Sequence, residues 1–210
     1  MGITKMKWEQ DLTKDIKTND SNFNDRDSPE TIDGNPWDAI STDYSHQAML
    51  ERLLTIKDQC RVIVEIGVDA YDAPGFTDIF LEHKRPETIY IGIDINDKSY
   101  LNDPDKNIYT IQNSSSNYLE NLEKIKSFGA TEIDLLFIDG PHSINQVLDD
   151  WEYTNILSND GLVGFHDTRF HPGPKRFLQA LNTDQWEIEE NACADKLDWG
   201  VGFVQPRKNK

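Results

Sequence analysis

Five short runs of β-branched and aliphatic residues, each closed by glycine or a polar residue, set the rhythm of this chain. They cover residues 61–66 before Gly67, 88–93 before Asp94, 108–111 near Asn113, 133–138 before Asp139, and 161–165 before His166 and Asp167. Nearly unbroken apolar runs of this length are the pattern of strands covered on both faces. Between them the period becomes helical. Asp43 is placed to cap a helix carrying Met49, Leu50, Leu53, Leu54 and Ile56. Tyr118, Leu119, Leu122 and Ile125 form a second stripe, and Ile144, Val147, Leu148 and Trp151 a third. Strands alternating with helices predict right-handed crossovers and a parallel sheet between two helical layers. The tail breaks the rhythm: Trp186-Glu187-Ile188 and residues 199–204 follow each other without a helical period, which predicts a closing pair of strands.

Composition adds boundaries to this picture. The chain has 210 residues, the size of one ordinary domain with a full core. Residues 1–36 contain eight apolar side chains without a sustained period, too few to offset their ordering entropy. They are expected to form a polar arm or a flap, with one domain over residues 37–210. Trp37, just after Pro36, stands where a flap meets the sheet edge. With 21 Lys and Arg against 38 Asp and Glu, the net charge is −17. Such a surface repels phosphate backbones and anionic headgroups, so neither nucleic acid nor a membrane surface is an expected partner. The longest apolar stretch near the middle, Leu135-Leu136-Phe137-Ile138, is far short of a membrane span, and no charged-then-apolar leader opens the chain. Cys60 and Cys193 are too few for a disulfide framework and have no metal-binding spacing, so two reduced thiols in the cytoplasm are expected.

In a doubly wound sheet, ligands bind beyond the carboxyl ends of the strands. The polar residues gathered there are Glu65 and Gly67, Asp94, Asn113 and Ser114, Asp139 and His142, and His166 and Asp167. Each alone would pass as a helix cap or a solvated loop residue; five successive strands delivering them to one edge is a pattern. Gly67 lets the backbone approach a ligand closely, and a carboxylate at Asp94 can accept both hydroxyls of a ribose. The dinucleotide fingerprint G-x-G-x-x-G is absent, since the next glycine after Gly67 is Gly75 and the loop between carries Asp69 and Asp72. A cofactor with a ribose and no pyrophosphate fits better than a nicotinamide dinucleotide.

These residues resemble a family. Val64-Glu65-Ile66-Gly67, Ile91-Gly92-Ile93-Asp94, Gln112-Asn113-Ser114, the block from Asp134 to Ser143 and the block from Gly161 to Thr168 look like the class I S-adenosylmethionine-dependent methyltransferases. The branch most similar contains metal-dependent small-molecule O-methyltransferases and the so-called cephalosporin hydroxylase group. The resemblance spans roughly residues 43–204. It implies a Rossmann-like α/β sheet, mostly parallel with a closing antiparallel strand and helices on both faces. It implies that Glu65 and Gly67 lie against the methionine part of S-adenosylmethionine, that Asp94 binds the ribose, and that Asn113 and Ser114 flank the adenine. Asp139 is expected to touch cofactor as well as metal, and Gly200-Val201-Gly202 to lie on the antiparallel strand.

Asp139, His166 and Asp167 are the candidate metal ligands. Carboxylates with substrate oxygens suit magnesium, and the imidazole in place of a second acid admits manganese or iron. His142, whose residue type titrates near neutrality, is the expected general base, acting with Asp139 as a catalytic residue. His171 in Phe170-His171-Pro172 is a second candidate. His46 and His83 fall in helical patterns, and Trp151 fits a core position. The expected activity is methyl transfer from S-adenosylmethionine to a hydroxyl of a small-molecule acceptor, neutral or basic by the charge argument, with a homo-oligomer compatible. The alternative is a non-catalytic module that keeps the methyltransferase-like fold for binding.

Overall fold

In a computed structural model, residues 40–68 and 75–208 are described. The arm over residues 1–36, Trp37, Asp69 and Asp72 lie outside the described residues. Seven strands form one sheet: β1 (Val62–Ile66), β2 (Ile89–Asp94), β3 (Ile108–Gln112), β4 (Ile133–Ile138), β5 (Leu157–His166), β6 (Trp186–Glu189) and β7 (Val201–Pro206). Their order is β3-β2-β1-β4-β5-β7-β6. All neighbouring pairs from β3 to β5 are parallel, and β7 is antiparallel to both β5 and β6. The closing pair expected from the sequence is therefore present, with β7 inserted between β5 and β6.

Among the described residues, five α-helices cover the sheet: α1 (Asp43–Ile56), α2 (Phe76–His83), α3 (Tyr118–Ser127), α4 (Ile144–Trp151) and α5 (Pro172–Ala180). The side-chain period of two divides the core. Val62, Val64 and Ile66 of β1, with Leu136 and Ile138 of β4, pack with Ile125, Val147, Trp151 and Phe177 on the α3–α4–α5 face. Ile63 of β1, with Leu135 and Phe137 of β4, packs with Met49, Leu53, Phe76 and Phe80 on the α1–α2 face. Burial of these groups at about 25 cal/mol per Å² supplies the main driving force for the fold.

Two helices depart from the expected stripes for identifiable reasons. α1 starts at Asp43, yet its first turn is capped from far along the chain. The amides of Tyr44 and Ser45 donate to Asp198 Oδ2, at 3.2 and 3.3 Å, and the Ser45 hydroxyl donates to Asp198 Oδ1. Asp198 is fully buried, so this pairing also fixes the chain just before β7. In α3 the inward position belongs to Asn121, while Leu119 is 65% exposed. Asn121 donates to the Ser114 carbonyl and to the Tyr153 hydroxyl, holding the turn after β3.

Candidate active site

The strand order reverses direction at β1, which lies between β2 and β4. That reversal opens a crevice at the carboxyl edge. Gly67 stands at its floor with φ +82°, a conformation suited to glycine. Its amide donates to the Ile93 carbonyl at 2.9 Å, and the Asp139 amide donates to the Ile66 carbonyl at 2.8 Å. A side chain at position 67 would place Cβ 2.1 Å from the Asp139 carbonyl oxygen.

Asp94 ends β2. Its Oδ2 accepts the Val68 amide at 3.0 Å and its Oδ1 the Asn96 amide at 2.7 Å, while Lys98 Nζ lies 3.9 Å away. Each carboxylate oxygen has a second lone pair available to a ligand hydroxyl. Asn113 ends the next strand, but its side chain serves the turn. It donates to Asn121 Oδ1 at 2.9 Å and accepts from the Ser114 amide and from Asn117. Below this turn, the Gln146 amide group donates to Ser115 Oγ at 2.9 Å and to Asp150 Oδ1 at 2.8 Å.

Glu65 is located differently from the other strand-end residues. The period of two puts it on the α1–α2 face, where it is fully enclosed. Its carboxylate accepts both the Thr77 hydroxyl and the Tyr90 phenol. In the structure the carboxylate thus ties α2 to β1 and β2 instead of facing the crevice, whereas Gly67, two residues on, does face it.

Asp139, His142, His166 and Asp167 do come together. His166 Nδ1 lies 3.0 Å from Asp139 Oδ1 and 3.4 Å from Asp167 Oδ2. His142 Nε2 lies 2.7 Å from the same Asp167 oxygen. Asp167 has φ +58°, rare for a residue with a side chain, and the bend lets His166 and Asp167 face one cluster although they are consecutive. Asp139 does not cap α4: Ser143 does, accepting the Gln146 amide at 3.2 Å, which leaves the Asp139 carboxylate for His166. His171 joins the cluster, its ring centroid 3.9 Å from that of His142, and Trp199 continues the wall 5.4 Å beyond.

The electrostatics follow from burial and proximity. Burial works to lower the pKa of His166, but the carboxylates of Asp167 and Asp139 outweigh it and raise the pKa well above the ordinary value. Burial raises Asp139, against the opposing pull of His166. For Asp167 burial also acts upward, yet His166 and the hydrogen bond from His142 hold it below the usual carboxylate range. The His166 ring therefore sits beside two carboxylates, an arrangement that favours its protonated form. Asp139, His166 and Asp167 have ligand atoms within 4.8 Å of one another, as do His142, Asp167 and His171. A mixed carboxylate and imidazole donor set fits a divalent transition ion, which would take the place of the His166 proton.

Comparison with known proteins agrees with this geometry. The model of a family described as a methyltransferase domain matches residues 64–168, from β1 through the Asp167 turn. The chain belongs to this methyltransferase-domain family. No curated protein sequence matches it. Among solved structures, the MycE methyltransferase of the mycinamycin pathway, in complex with Mg, SAH and mycinamycin VI, is 18% identical with TM-score 0.56. That alignment covers 78% of this chain and 50% of MycE, so the chain spans half the length of that methyltransferase. The O-methyltransferase TomG from Streptomyces achromogenes, in complex with SAM, is 12% identical over 82% of this chain and 83% of its own, with TM-score 0.56. An O-methyltransferase from Bacillus cereus, in complex with SAH, is 13% identical over 82% and 84%, with TM-score 0.54. At these identities the likeness is one of fold. Among the described residues, no helix of this methyltransferase-domain chain is long and apolar enough to cross a membrane.

Sequence reasoning missed Asp150, Asp198, Arg169 and Trp199. Asp198 and Trp199 act through contacts with residues far away in sequence, which no local pattern announces. Asp150 was hidden inside an otherwise apolar helix stripe.

Proposed function

We propose that this methyltransferase-domain protein transfers a methyl group from S-adenosylmethionine to a hydroxyl of a small-molecule acceptor, with His142 as general base and a divalent ion at Asp139, His166 and Asp167. The observation that carries this reading is the convergence of those four side chains beside Gly67 and Asp94, on the crevice where β1 meets β4. Family membership and the fold shared with TomG and MycE support it.

When bound, the cofactor supplies an electrophilic methyl group and the ion supplies positive charge that eases ionisation of the acceptor hydroxyl. The chain supplies alignment. Gly67 keeps the crevice floor free of side-chain atoms, and Asp94 accepts ribose hydroxyls. Asp167 Oδ2, 2.7 Å from His142 Nε2, orients the imidazole that takes the hydroxyl proton. Holding acceptor oxygen, methyl carbon and sulfur in line is the larger contribution of the enzyme to such a displacement. The partner this reading requires is a small acceptor, not nucleic acid or a membrane, and a homo-oligomer is compatible with it. The free thiols of Cys60 and Cys193 are in keeping with a reducing compartment such as the cytoplasm.

Calorimetric titration with S-adenosylmethionine tests the reading directly. Micromolar binding is expected, lost in Asp94→Ala. An absence of heat from demonstrably folded protein would overturn it in favour of a binding module that keeps the fold without the cofactor.

A further inference from the structure

Arg169 lies two residues beyond Asp167, half-buried at the carboxyl edge of β5. The protein carries 38 acidic residues against 21 basic ones. Yet among the described residues the Arg169 guanidinium makes no ion pair, and its Nη1 is buried without a hydrogen-bond partner. The adjacent Thr168, 3% exposed, has a hydroxyl oxygen in the same condition. A buried donor on a charged group left unmatched is costly, all the more where carboxylates are abundant. Nη1 is itself closed to solvent, so a ligand would meet the accessible remainder of the half-buried guanidinium, whose charge has no counter-ion among the described residues.

What surrounds the guanidinium says what kind of ligand. Arg169 lies over the Phe170 ring, 5.0 Å from its centroid. Phe170 meets Trp199 edge to face at 5.8 Å, Trp199 meets His171 at 5.4 Å, and His171 meets His142 at 3.9 Å. Successive ring contacts thus run from the cation to the base, edge to face at Phe170–Trp199 and tilted at the other two. The backbone holds these rings together: the Arg169 amide donates to the Trp199 carbonyl at 3.0 Å.

We infer that the methyl acceptor is an acid, a flat ring bearing the reactive hydroxyl near His142 and a carboxylate or phosphate that Arg169 clamps. The inference rests on the methyl-transfer reading and adds the substrate class to it. A guanidinium fork matches either anion with two parallel hydrogen bonds, and the aromatic side chains receive the ring. The net charge of −17 points the other way, toward neutral or basic acceptors. That field is screened over about 8 Å at physiological salt, whereas Arg169 acts at contact. The overall charge therefore repels an acid at a distance, and a preference for acids has to come from a local cation.

The test is calorimetric titration of the full chain with 4-hydroxybenzoate, 4-hydroxyphenyl phosphate and the uncharged 4-hydroxybenzamide, with S-adenosylmethionine titrated separately. At least one anion is expected to bind tenfold or more tightly than the amide, and which anion it is identifies the acid. In Arg169→Gln that preference should shrink to twofold or less, at an unchanged unfolding temperature. Arg169→Lys, which keeps the charge without the fork, should retain more of a phosphate preference than of a carboxylate one. If Arg169→Gln does not fold, the wild-type preference and its change in Arg169→Lys decide. Equal binding of the amide, a preference that survives Arg169→Gln, or no binding of either anion would each overturn the inference. Cofactor binding without anion preference sinks the Arg169 assignment alone, whereas loss of cofactor binding sinks the methyl-transfer reading.

Discussion

Gly67 and Asp139 meet backbone to backbone across the crevice between β1 and β4, so closely that a methyl group at position 67 would lie 2.1 Å from the Asp139 carbonyl oxygen. The same contact fixes the strand end that carries the Asp139 carboxylate. The crevice floor and the backbone of Asp139 are thus packed directly against each other.

Gly67→Ala is therefore expected to damage both stability and binding. The substitution forces a side chain into a left-handed conformation, a cost of about 1–3 kcal/mol before the clash is counted. For a chain of this size that corresponds to a fall in unfolding temperature of roughly 2–12 °C. S-adenosylmethionine affinity should fall at least tenfold in whatever fraction folds. An alanine variant with wild-type affinity would show that the cofactor does not lie on this floor.

His142→Gln separates chemistry from binding. The glutamine can still reach Asp167 but cannot act as a base, and a positioned general base contributes about 10²–10⁴-fold. The expected result, with any acceptor that turns over, is a drop in kcat of that size with S-adenosylmethionine affinity unchanged. A variant whose KM rises while kcat holds would assign His142 to acceptor binding. His171, whose ring lies against it, would then be the next base to test.

Most of the fold was legible because strands buried on both faces announce themselves as apolar runs, and the residue after each run falls on the ligand edge. The cluster of Asp139, His142, His166 and Asp167 was legible for the same reason. Glu65 shows the limit of that logic: it is a strand-end acid, but the two-residue period turns it under α2 onto Thr77 and Tyr90. Asn113 shows another, its side chain occupied in holding Asn117 and Asn121. Asp198, which caps α1 from across the molecule, had no signal in its own neighbourhood. Long-range polar pairings of this kind depend on the finished packing, and a local pattern cannot contain them.

The donor set makes a prediction about metals. Chelator-treated protein should be stabilised by manganese more than by magnesium at equal concentration, because an imidazole competes poorly for magnesium. An ion at 100 times its dissociation constant adds about 2.7 kcal/mol of stability, readable as an upward shift in unfolding temperature. Asp167→Asn should abolish the shift. The pH dependence has a defined sign. His166 holds its proton because Asp167 and Asp139 outweigh the effect of burial, and an ion has to displace that proton. The shift should therefore be larger at pH 8.5 than at pH 6. A manganese shift that is unchanged in Asp167→Asn would place the ion elsewhere.

Asp150 gives a stability prediction independent of catalysis. Its carboxyl is fully buried in α4, and Oδ2 has no hydrogen-bond partner. Burial raises its pKa to about 6, partly offset by hydrogen bonds from Ser115 and Gln146 and reinforced by the charge of Asp149. In the unfolded chain an aspartate titrates near about 3.9. Between these values the folded state binds more protons, so the contribution of Asp150 to stability falls as pH rises from about 4 to about 6 and stays low above it. Two pKa units correspond to about 3 kcal/mol at neutral pH. Asp150→Asn removes the charge while keeping an acceptor for Gln146. It should raise the unfolding temperature at pH 7.5 and change it little at pH 4.5. Chemical or thermal unfolding of both proteins across that range gives the difference curve, in which the other carboxylates cancel. A difference that is flat with pH would mean that Asp150 titrates normally and that water reaches its second oxygen. The turn held by Gln146 and Ser115 would then be far more open than the packing around Asp150 indicates.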